Sequence, residues 1–68
     1  MKKGRYIVKR IKNQDGNKTY ITYDVHFENE EGFEHIAEFV FMSDAIKFKK
    51  LKNAELEQKG LYDWGIRK

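Results

Sequence analysis

Residues 18–27 read KTYITYDVHF, and their side chains alternate between two faces at every position. A repeat of two residues is the repeat of a β-strand, and a mostly apolar face opposite a polar one indicates that one side is buried. The segment therefore predicts the middle strand of an antiparallel sheet. Its buried face carries Thr19, Ile21, Tyr23, Val25 and Phe27.

Two further strands flank this segment. Residues 5–12 (RYIVKRIK) are rich in β-branched and aromatic side chains, and the Asp15-Gly16 pair that follows is a strong hairpin signal. Residues 33–42 (FEHIAEFVFM) follow a second turn at residues 28–32. Two hairpins in series predict a three-stranded meander with strands at about 5–12, 18–27 and 33–42.

The second turn sets the register of the second hairpin. If Gly32 takes the left-handed position of a three-residue loop, Asn29 pairs with Phe33. His35 then lies on the buried face opposite Phe27. The large apolar residues also meet on that face, in the pairs Tyr23 with Phe39, Val25 with Ala37 and Ile21 with Phe41.

The first turn leaves two registers open. A two-residue turn at residues 15–16 pairs Val8 with Tyr23. A three-residue loop exchanges the two faces of the first strand and places Lys12 opposite Lys18, a like-charge pair that weakens a sheet. The two-residue turn is the preferred alternative.

A helix is predicted after the third strand, from about residue 44 to residue 59. Ser43 is a candidate N-cap, and the carboxylate of Asp44 suits the positive end of the helix dipole. Gly60 is the candidate C-cap. Apolar residues recur at every third position and are expected to face the sheet: Ala45, Phe48, Leu51 and Ala54.

Two features of the C-terminal third stay open. In an alternative reading, residues 46–51 form a fourth strand and a short helix starts at Asn53. The tail, residues 61–66, is too apolar to be a frayed end and is expected to dock. One possibility is that it covers the outer face of the sheet with Leu61, Tyr62, Trp64 and Ile66.

Size and composition predict one small α+β domain, residues 1–68, with the helix packed on one face of the meander. The chain contains no Cys, which excludes disulfides and thiolate metal sites and favours a reducing, cytoplasmic location. No apolar run suits a signal peptide or a membrane span, so no membrane association is expected.

Charge is sorted along the chain. Residues 1–20 contain seven Lys or Arg and one acid, and residues 21–44 contain seven Asp or Glu and no Lys or Arg. Residues 45–68 return to seven basic side chains against three acids. The net charge of +3 therefore hides large opposing contributions that will orient any charged partner.

The outer face of the predicted sheet offers a candidate interaction surface. An exposed apolar patch rimmed by charge is typical of protein docking sites. The predicted function is a non-catalytic module that binds a protein partner or self-associates as a homo-oligomer, with apolar burial giving affinity and charge setting orientation. The patch comprises Ile11, Tyr20, Val40 and Met42, rimmed by Lys9 and Glu38.

Nucleic-acid binding is the alternative function. Lysines cluster on the predicted helix, and the basic N-terminus suits an arm that neutralises phosphates. The outer sheet face carries carboxylates that repel phosphate, so only the helix and the N-terminus qualify. The candidate residues are Lys2, Lys3, Arg5, Lys47, Lys49, Lys50 and Lys52.

The acidic end of the outer face suggests a metal site only weakly. His26 lies among its carboxylates, but their spacing matches no ligand motif, so neither a metal nor a cofactor is expected. Arg5 is the nearest base that relieves the repulsion between opposed carboxylates. The opposed pairs in the predicted register are Asp24 with Glu38 and Glu28 with Glu34.

Catalysis is not expected. The chain has no Cys nucleophile, no glycine-rich phosphate loop and no arrangement of hydroxyl, His and acid that indicates a triad. A domain this small also has little room for a pocket that excludes water, so no small-molecule substrate is expected.

Overall fold

A computed structural model describes residues 3–63 and shows an α+β meander. The sheet has three antiparallel strands in the order β1-β2-β3, namely β1 (Arg5–Asp15), β2 (Lys18–Asn29) and β3 (Gly32–Phe39). One helix, α1 (Met42–Gln58), packs on the sheet. The predicted fold class is confirmed.

The first hairpin turns at Gly16 and Asn17, between the paired residues Asp15 and Lys18. Gly16 has a φ of +62°. Among the described residues only glycines have a positive φ, so Asn17, the second residue of the turn, has a negative one. A left-handed glycine at the first central position is the pattern of a type II′ turn, whose twist matches that of the strands. The two-residue turn is therefore shifted by one residue from the predicted one.

This shift changes the partners in the first hairpin but not the faces. Val8 lies opposite Val25, not opposite Tyr23 as predicted. The register moves by two residues, and a shift of two keeps each side chain on its own face. The alternative three-residue loop, which exchanges the faces of β1, is wrong.

The second hairpin contains a β-bulge in β3. The predicted pairs Tyr23 with Phe39 and Val25 with Ala37 are present, but the next pair is His26 with His35. Ile36 is the extra residue between them. The turn that follows is tight, because Asn29 pairs with Gly32 and leaves two residues in the loop. The predicted three-residue loop is wrong.

The bulge reverses the facing of the first half of β3. His35 lies opposite His26 on the outer face, so the prediction that it faces Phe27 in the core is wrong. Phe33 pairs with Glu28, so its side chain also lies on the outer face of the sheet. The predicted opposition of Glu28 and Glu34 is therefore absent, since Glu34 pairs with Phe27.

The core lies between the inner face of the sheet and α1. Val25 and Ala45 are fully buried, and Leu56 of the helix is nearly so. The rings of Phe39 and Phe48 pack with centroids 5.5 Å apart, which joins β3 to the helix. Phe41 is 66% exposed because β3 ends at Phe39, so its predicted place on the buried face opposite Ile21 is wrong.

The helix starts two residues earlier than predicted. Phe41 is the N-cap, with extended backbone and no side-chain cap, and Ala45 N–H donates to its carbonyl at 3.3 Å. Ser43 lies inside the first turn, so its predicted capping role is wrong. Asp44 does lie in that first turn. The continuous helix also excludes the alternative strand at residues 46–51.

The buried face of α1 differs from the predicted stripe. Leu51 is 67% exposed and Ala54 is exposed, whereas Leu56 is buried. Residues three apart rotate by about 60° per step around a helix, so a stripe with that spacing soon leaves the sheet. Spacings of four and three keep to one side, and the half-buried side chains of Lys49 and Lys52 lie between Ala45 and Leu56.

A side chain of the helix also binds the backbone of β1. Tyr6 N–H donates to Asn53 Oδ1 at 2.8 Å, and Asn53 Nδ2 donates to the Tyr6 carbonyl at 3.1 Å. The amide therefore takes the place of a neighbouring strand at this point of the β1 edge. It fixes the helix over β1.

Gly60 ends the helix, as predicted. Its φ of +71° is left-handed, Gly60 N–H donates to the Glu57 carbonyl at 3.1 Å, and Leu61 N–H donates to the Leu56 carbonyl at 2.8 Å. These two bonds form a Schellman motif with Lys59 as the C-cap. The motif turns the chain back toward β1.

The start of the tail docks on the N-terminal end of β1. Gly4 N–H donates to the Leu61 carbonyl at 2.9 Å, and Asp63 N–H donates to the Gly4 carbonyl at 3.0 Å. Gly4 and Tyr62 thus form a parallel bridge. Residues 61–63 extend the sheet at its edge instead of covering the outer face, while Trp64 and Ile66 lie outside the described residues.

We expect Gly60→Ala to lower the free energy of unfolding by about 1–2 kcal/mol, the cost of a left-handed residue with a Cβ. No atom lies within 4 Å of that added Cβ, so strain is the sole cause. Urea denaturation followed by circular dichroism measures the change. Gln58→Ala, two residues earlier on the exposed helix surface, is the control and should leave stability unchanged.

Candidate functional site

The structure separates the apolar patch predicted on the outer face. Tyr20 is 50% exposed and pairs with Asn13, and Ile11 is half-buried and pairs with Thr22. These two pairings place Ile11 and Tyr20 at diagonal positions on one face. The two residues stay neighbours, as predicted.

The other two members of the patch lie elsewhere. Val40 is exposed in the bend after β3, beyond the last strand pair. Met42 starts α1 and lines a cavity with Val8 and Tyr23 of the inner face. The prediction that Met42 belongs to the outer face is wrong, because β3 is shorter than predicted and the chain has already crossed to the helix side.

A groove opens instead between β3 and the C-terminal half of α1, and we call it the β3 groove. Its volume is about 490 Å³. It forms because α1 packs more closely on β1 and β2 than on β3. Its apolar lining comprises Tyr6, Phe27, Phe33, Ile36 and Leu56, and its polar lining comprises Asn29, Glu31, Gly32 and Glu34.

The apolar exposure of the chain concentrates near this groove. Of the large apolar side chains that are exposed in the described residues, all but Tyr20 and Leu51 lie between residues 33 and 42. Phe33 is 66% exposed at one end of β3, and Val40 is similarly exposed just beyond the other end. An exposed apolar strip along one strand is typical of an interaction surface.

The sequence does not predict that Phe33, Ile36 and Glu34 belong to one site. They come together because the bulge at Ile36 reverses the facing of the residues before it. Gly32 was an available signal, because its φ of +137° is one that residues with a Cβ rarely adopt, but a glycine there does not by itself fix the length of the loop.

A second cluster lies on the outer face, and we call it the histidine cluster. Asp24, His26 and His35 each offer one ligand atom, and these atoms all lie within 4.8 Å of one another. His35 Nε2 is 3.6 Å from Asp24 Oδ2. The ring of Phe33 stacks on His26 at 5.1 Å and 4°, and Lys9 Nζ lies 5.4 Å from the Phe33 centroid.

The two predicted rim residues flank this cluster. Lys9 and Glu38 both pair with Asp24, one from each neighbouring strand. The predicted opposition of Asp24 and Glu38 is therefore present. Lys9 and Glu38 therefore lie beside the histidine cluster and not beside Ile11 and Tyr20. We call these last two residues, which remain of the predicted patch, the Tyr20 patch.

Arg5 neutralises the buried acid Glu28, which lies next to His26 on the outer face, as expected. Its Nε donates to Glu28 Oε1 at 3.3 Å, and Glu28 is only 5% exposed. A carboxylate this buried requires a charged or hydrogen-bonded partner. Arg5 therefore has a structural task, which reduces its availability for phosphate.

The lysines predicted for nucleic-acid binding spread over two sides of α1. Lys47 and Lys50 are exposed, whereas Lys49 and Lys52 are half-buried beside the sheet. Lys52 Nζ lies 3.7 Å from Glu55 Oε1 and 5.7 Å from the Phe48 ring. Lys3 is exposed at the N-terminus, and Lys2 lies outside the described residues.

Comparison with protein-family models, with curated proteins and with solved structures finds no match for this chain. Within the part of the chain that the structure describes, the single helix is neither long enough nor apolar enough to cross a membrane.

Proposed function

We propose that this domain is a non-catalytic protein-interaction module that binds an extended, apolar and basic segment of a partner protein along β3. The observation that carries the proposal is the β3 groove, which lies beside an edge strand and leaves Tyr6 and Phe27 of the inner face only half-buried. This moves the predicted binding surface from the Tyr20 patch to the opposite side of the sheet.

Strand addition is the binding mode that suits this edge. A peptide that pairs with an edge strand gains main-chain hydrogen bonds, and its alternate side chains enter adjacent pockets. Proteins protect free edges with Lys, Pro or a β-bulge. The eight residues of β3 contain neither Lys nor Pro, and the bulge at Ile36 leaves residues 32–35 and 37–39 in regular register for pairing. Exposed Phe33 lies near one end of β3, and exposed Val40 lies just beyond the other end.

Charge selects the partner. Glu31 and Glu34 line the groove, and Glu38 lies further along the same strand. None of the ion pairs found among the described residues includes Glu34 or Glu38. A peptide with Lys or Arg between its apolar residues therefore complements this edge, and an acidic peptide is repelled.

The test uses synthetic peptides of alternating Val and Lys, long enough to span β3, and measures the Kd by fluorescence anisotropy. We expect Ile36→Ala to weaken binding about tenfold or more, because the groove loses an apolar contact. Leu51→Ala removes an exposed aliphatic side chain from α1 and should leave the Kd unchanged. Equal affinities for the two variants would overturn the proposal.

A second pair of variants tests the role of charge. Glu34→Lys reverses a carboxylate in the groove, and Glu57→Lys makes the same change on the exposed helix. Since both variants have the same net charge, only a local effect distinguishes them. We expect weaker binding of the basic peptide by Glu34→Lys alone, and no binding of a Val-Glu peptide by the parent chain.

Two other outcomes would contradict the proposal, the first on the binding surface and the second on the occupant. Loss of binding in Tyr20→Ala with normal binding in Ile36→Ala would place the partner on the outer face. A mass that rises with protein concentration, and falls in Ile36→Ala, would identify a second copy of the chain as the occupant.

One observation favours nucleic acid as a second candidate. Arg10 of β1 and Lys49 of α1 line the same cavity of about 360 Å³, so strand and helix bring basic side chains together. Oligonucleotide binding through this surface should weaken steeply as salt rises. It should also weaken in Lys49→Gln, whereas Lys59→Gln should have no effect.

A further inference from the structure

We infer that the histidine cluster of Asp24, His26 and His35 binds a zinc ion on the outer face of the sheet. The proposed zinc ligands are not part of the proposed partner site, although Phe33 contributes to both, since it lines the β3 groove and stacks on His26. It rests on three features: the donor set, the unpartnered buried atoms and the orientation of the rings.

The donor set suits zinc. Two imidazoles and one carboxylate are common zinc ligands, and three protein ligands leave the fourth tetrahedral position for water. Ligands about 2.0–2.1 Å from zinc lie roughly 3.3 Å apart, so the observed spacing closes by small side-chain rotations. His35 Nε2 and Asp24 Oδ2 are already 3.6 Å apart.

Buried polar atoms at the cluster have no hydrogen-bond partner among the described residues. These are Nδ1 of His26, a residue only 8% exposed, and Oδ1 of Asp24. Burying such groups without a partner is costly, and native structures rarely leave them so. A cation ligated by both side chains supplies the missing interaction for this part of the sheet.

The ring of His26 is already held in place. Phe33 stacks on one side of it, and His35 meets it edge-on with centroids 5.6 Å apart and an interplanar angle of 80°. Side chains whose rotamers are fixed by packing make better ligands, because binding then costs less ordering. The bulge at Ile36 is what brings His35 and Phe33 to this face.

The charges around the cluster act in opposite directions. Glu38 pairs with Asp24 from β3 and adds negative potential, which favours a cation. Lys9 pairs with Asp24 from β1 and repels a cation. Lys9 Nζ lies over Phe33, and none of the ion pairs found in the described chain includes it.

The test is calorimetric titration of the chelator-treated full chain with zinc chloride. We expect one zinc per chain, a higher unfolding temperature with zinc, and NMR shifts of both histidine rings. A ligand such as zinc that binds the folded chain but not the unfolded chain raises the apparent stability of the protein. Magnesium should not compete, because imidazole ligands select zinc over magnesium.

Variants assign the ligands. His35→Gln changes an exposed side chain and Asp24→Asn keeps the shape of the carboxylate, so both should fold. We expect each variant to weaken zinc binding about tenfold or more, because loss of a group that only hydrogen-bonds to a metal ligand already costs this much. Glu34→Gln removes a carboxylate of β3 outside the cluster and should leave the zinc Kd unchanged.

Lys9→Gln provides a test of opposite sign. We expect it to tighten zinc binding several-fold, because it removes a cation beside the site. Absence of stoichiometric binding, or equal affinities in Asp24→Asn, His35→Gln and Glu34→Gln, would overturn the inference.

Discussion

Gly4→Ala should lower the free energy of unfolding by about 3 kcal/mol, the upper end of the usual range for an overpacked site. A Cβ at this position meets the ring of Phe27 and the carbonyl oxygen of Glu28, the latter at 2.6 Å. Neither atom can move away easily. The Phe27 ring packs on Tyr6 at 5.1 Å, and Glu28 belongs to the middle strand.

This loss is large relative to the total free energy of unfolding of so small a domain. A core of this size rarely supplies more than about 3–5 kcal/mol, so Gly4→Ala should leave the chain partly unfolded at 25 °C. Circular dichroism across a urea series measures it. Lys3→Ala, at the exposed neighbouring position, is the control and should be neutral. Near-parental stability of Gly4→Ala would show that β1 and β2 do not approach this closely at residue 4.

Asn53→Asp should lower the free energy of unfolding by about 1–3 kcal/mol, the cost of hydrogen-bonding groups left without partners. The change keeps an acceptor for the Tyr6 N–H but replaces the donor that faces the Tyr6 carbonyl. Two oxygens then oppose each other where the structure has a hydrogen bond of 3.1 Å.

Two comparisons isolate this effect. Asn17→Asp makes the same chemical change in the exposed first turn and should alter stability little. Asn53→Ala loses both bonds without adding repulsion, and we expect it to be no worse than Asn53→Asp. Thermal denaturation ranks the three variants, and an Asn53→Asp variant as stable as Asn17→Asp would contradict the bidentate contact with β1.

The overall fold was predictable because several local signals agree. Strict alternation in β2, glycines at both turns and the helix-terminating Gly60 are consistent with one another and with the observed meander. When the local preferences of a sequence agree with its overall fold, that fold can be predicted from the sequence.

The bulge was not predictable from the same signals. An unbroken register places Phe39, Ala37 and Phe33 on one face, which satisfies the alternation fully. In the observed register Phe33 leaves the buried face and is largely exposed. The turn is tight in this register, and one side of the Phe33 ring stacks on His26. Such a balance depends on turn geometry and packing, which alternation does not encode.

The helix face was mispredicted for a different reason. Its sheet-facing side includes Lys49 and Lys52, which a hydrophobic pattern counts as exposed. Long basic side chains cover apolar surface with their methylene groups while the charged ends reach water. The role of the half-buried Asn53 amide was not predicted, because its partner is the β1 backbone and not another side chain.

The bridge between Gly4 and Tyr62 has a practical consequence for how the domain is presented. The described chain enters and leaves the sheet at the β1 edge, with the whole width of the sheet between that edge and β3. A label or a solid support coupled at residue 3 or residue 63 therefore lies on the β1 side of the sheet and leaves the β3 edge open. Coupling at both positions should cost no more access than coupling at one.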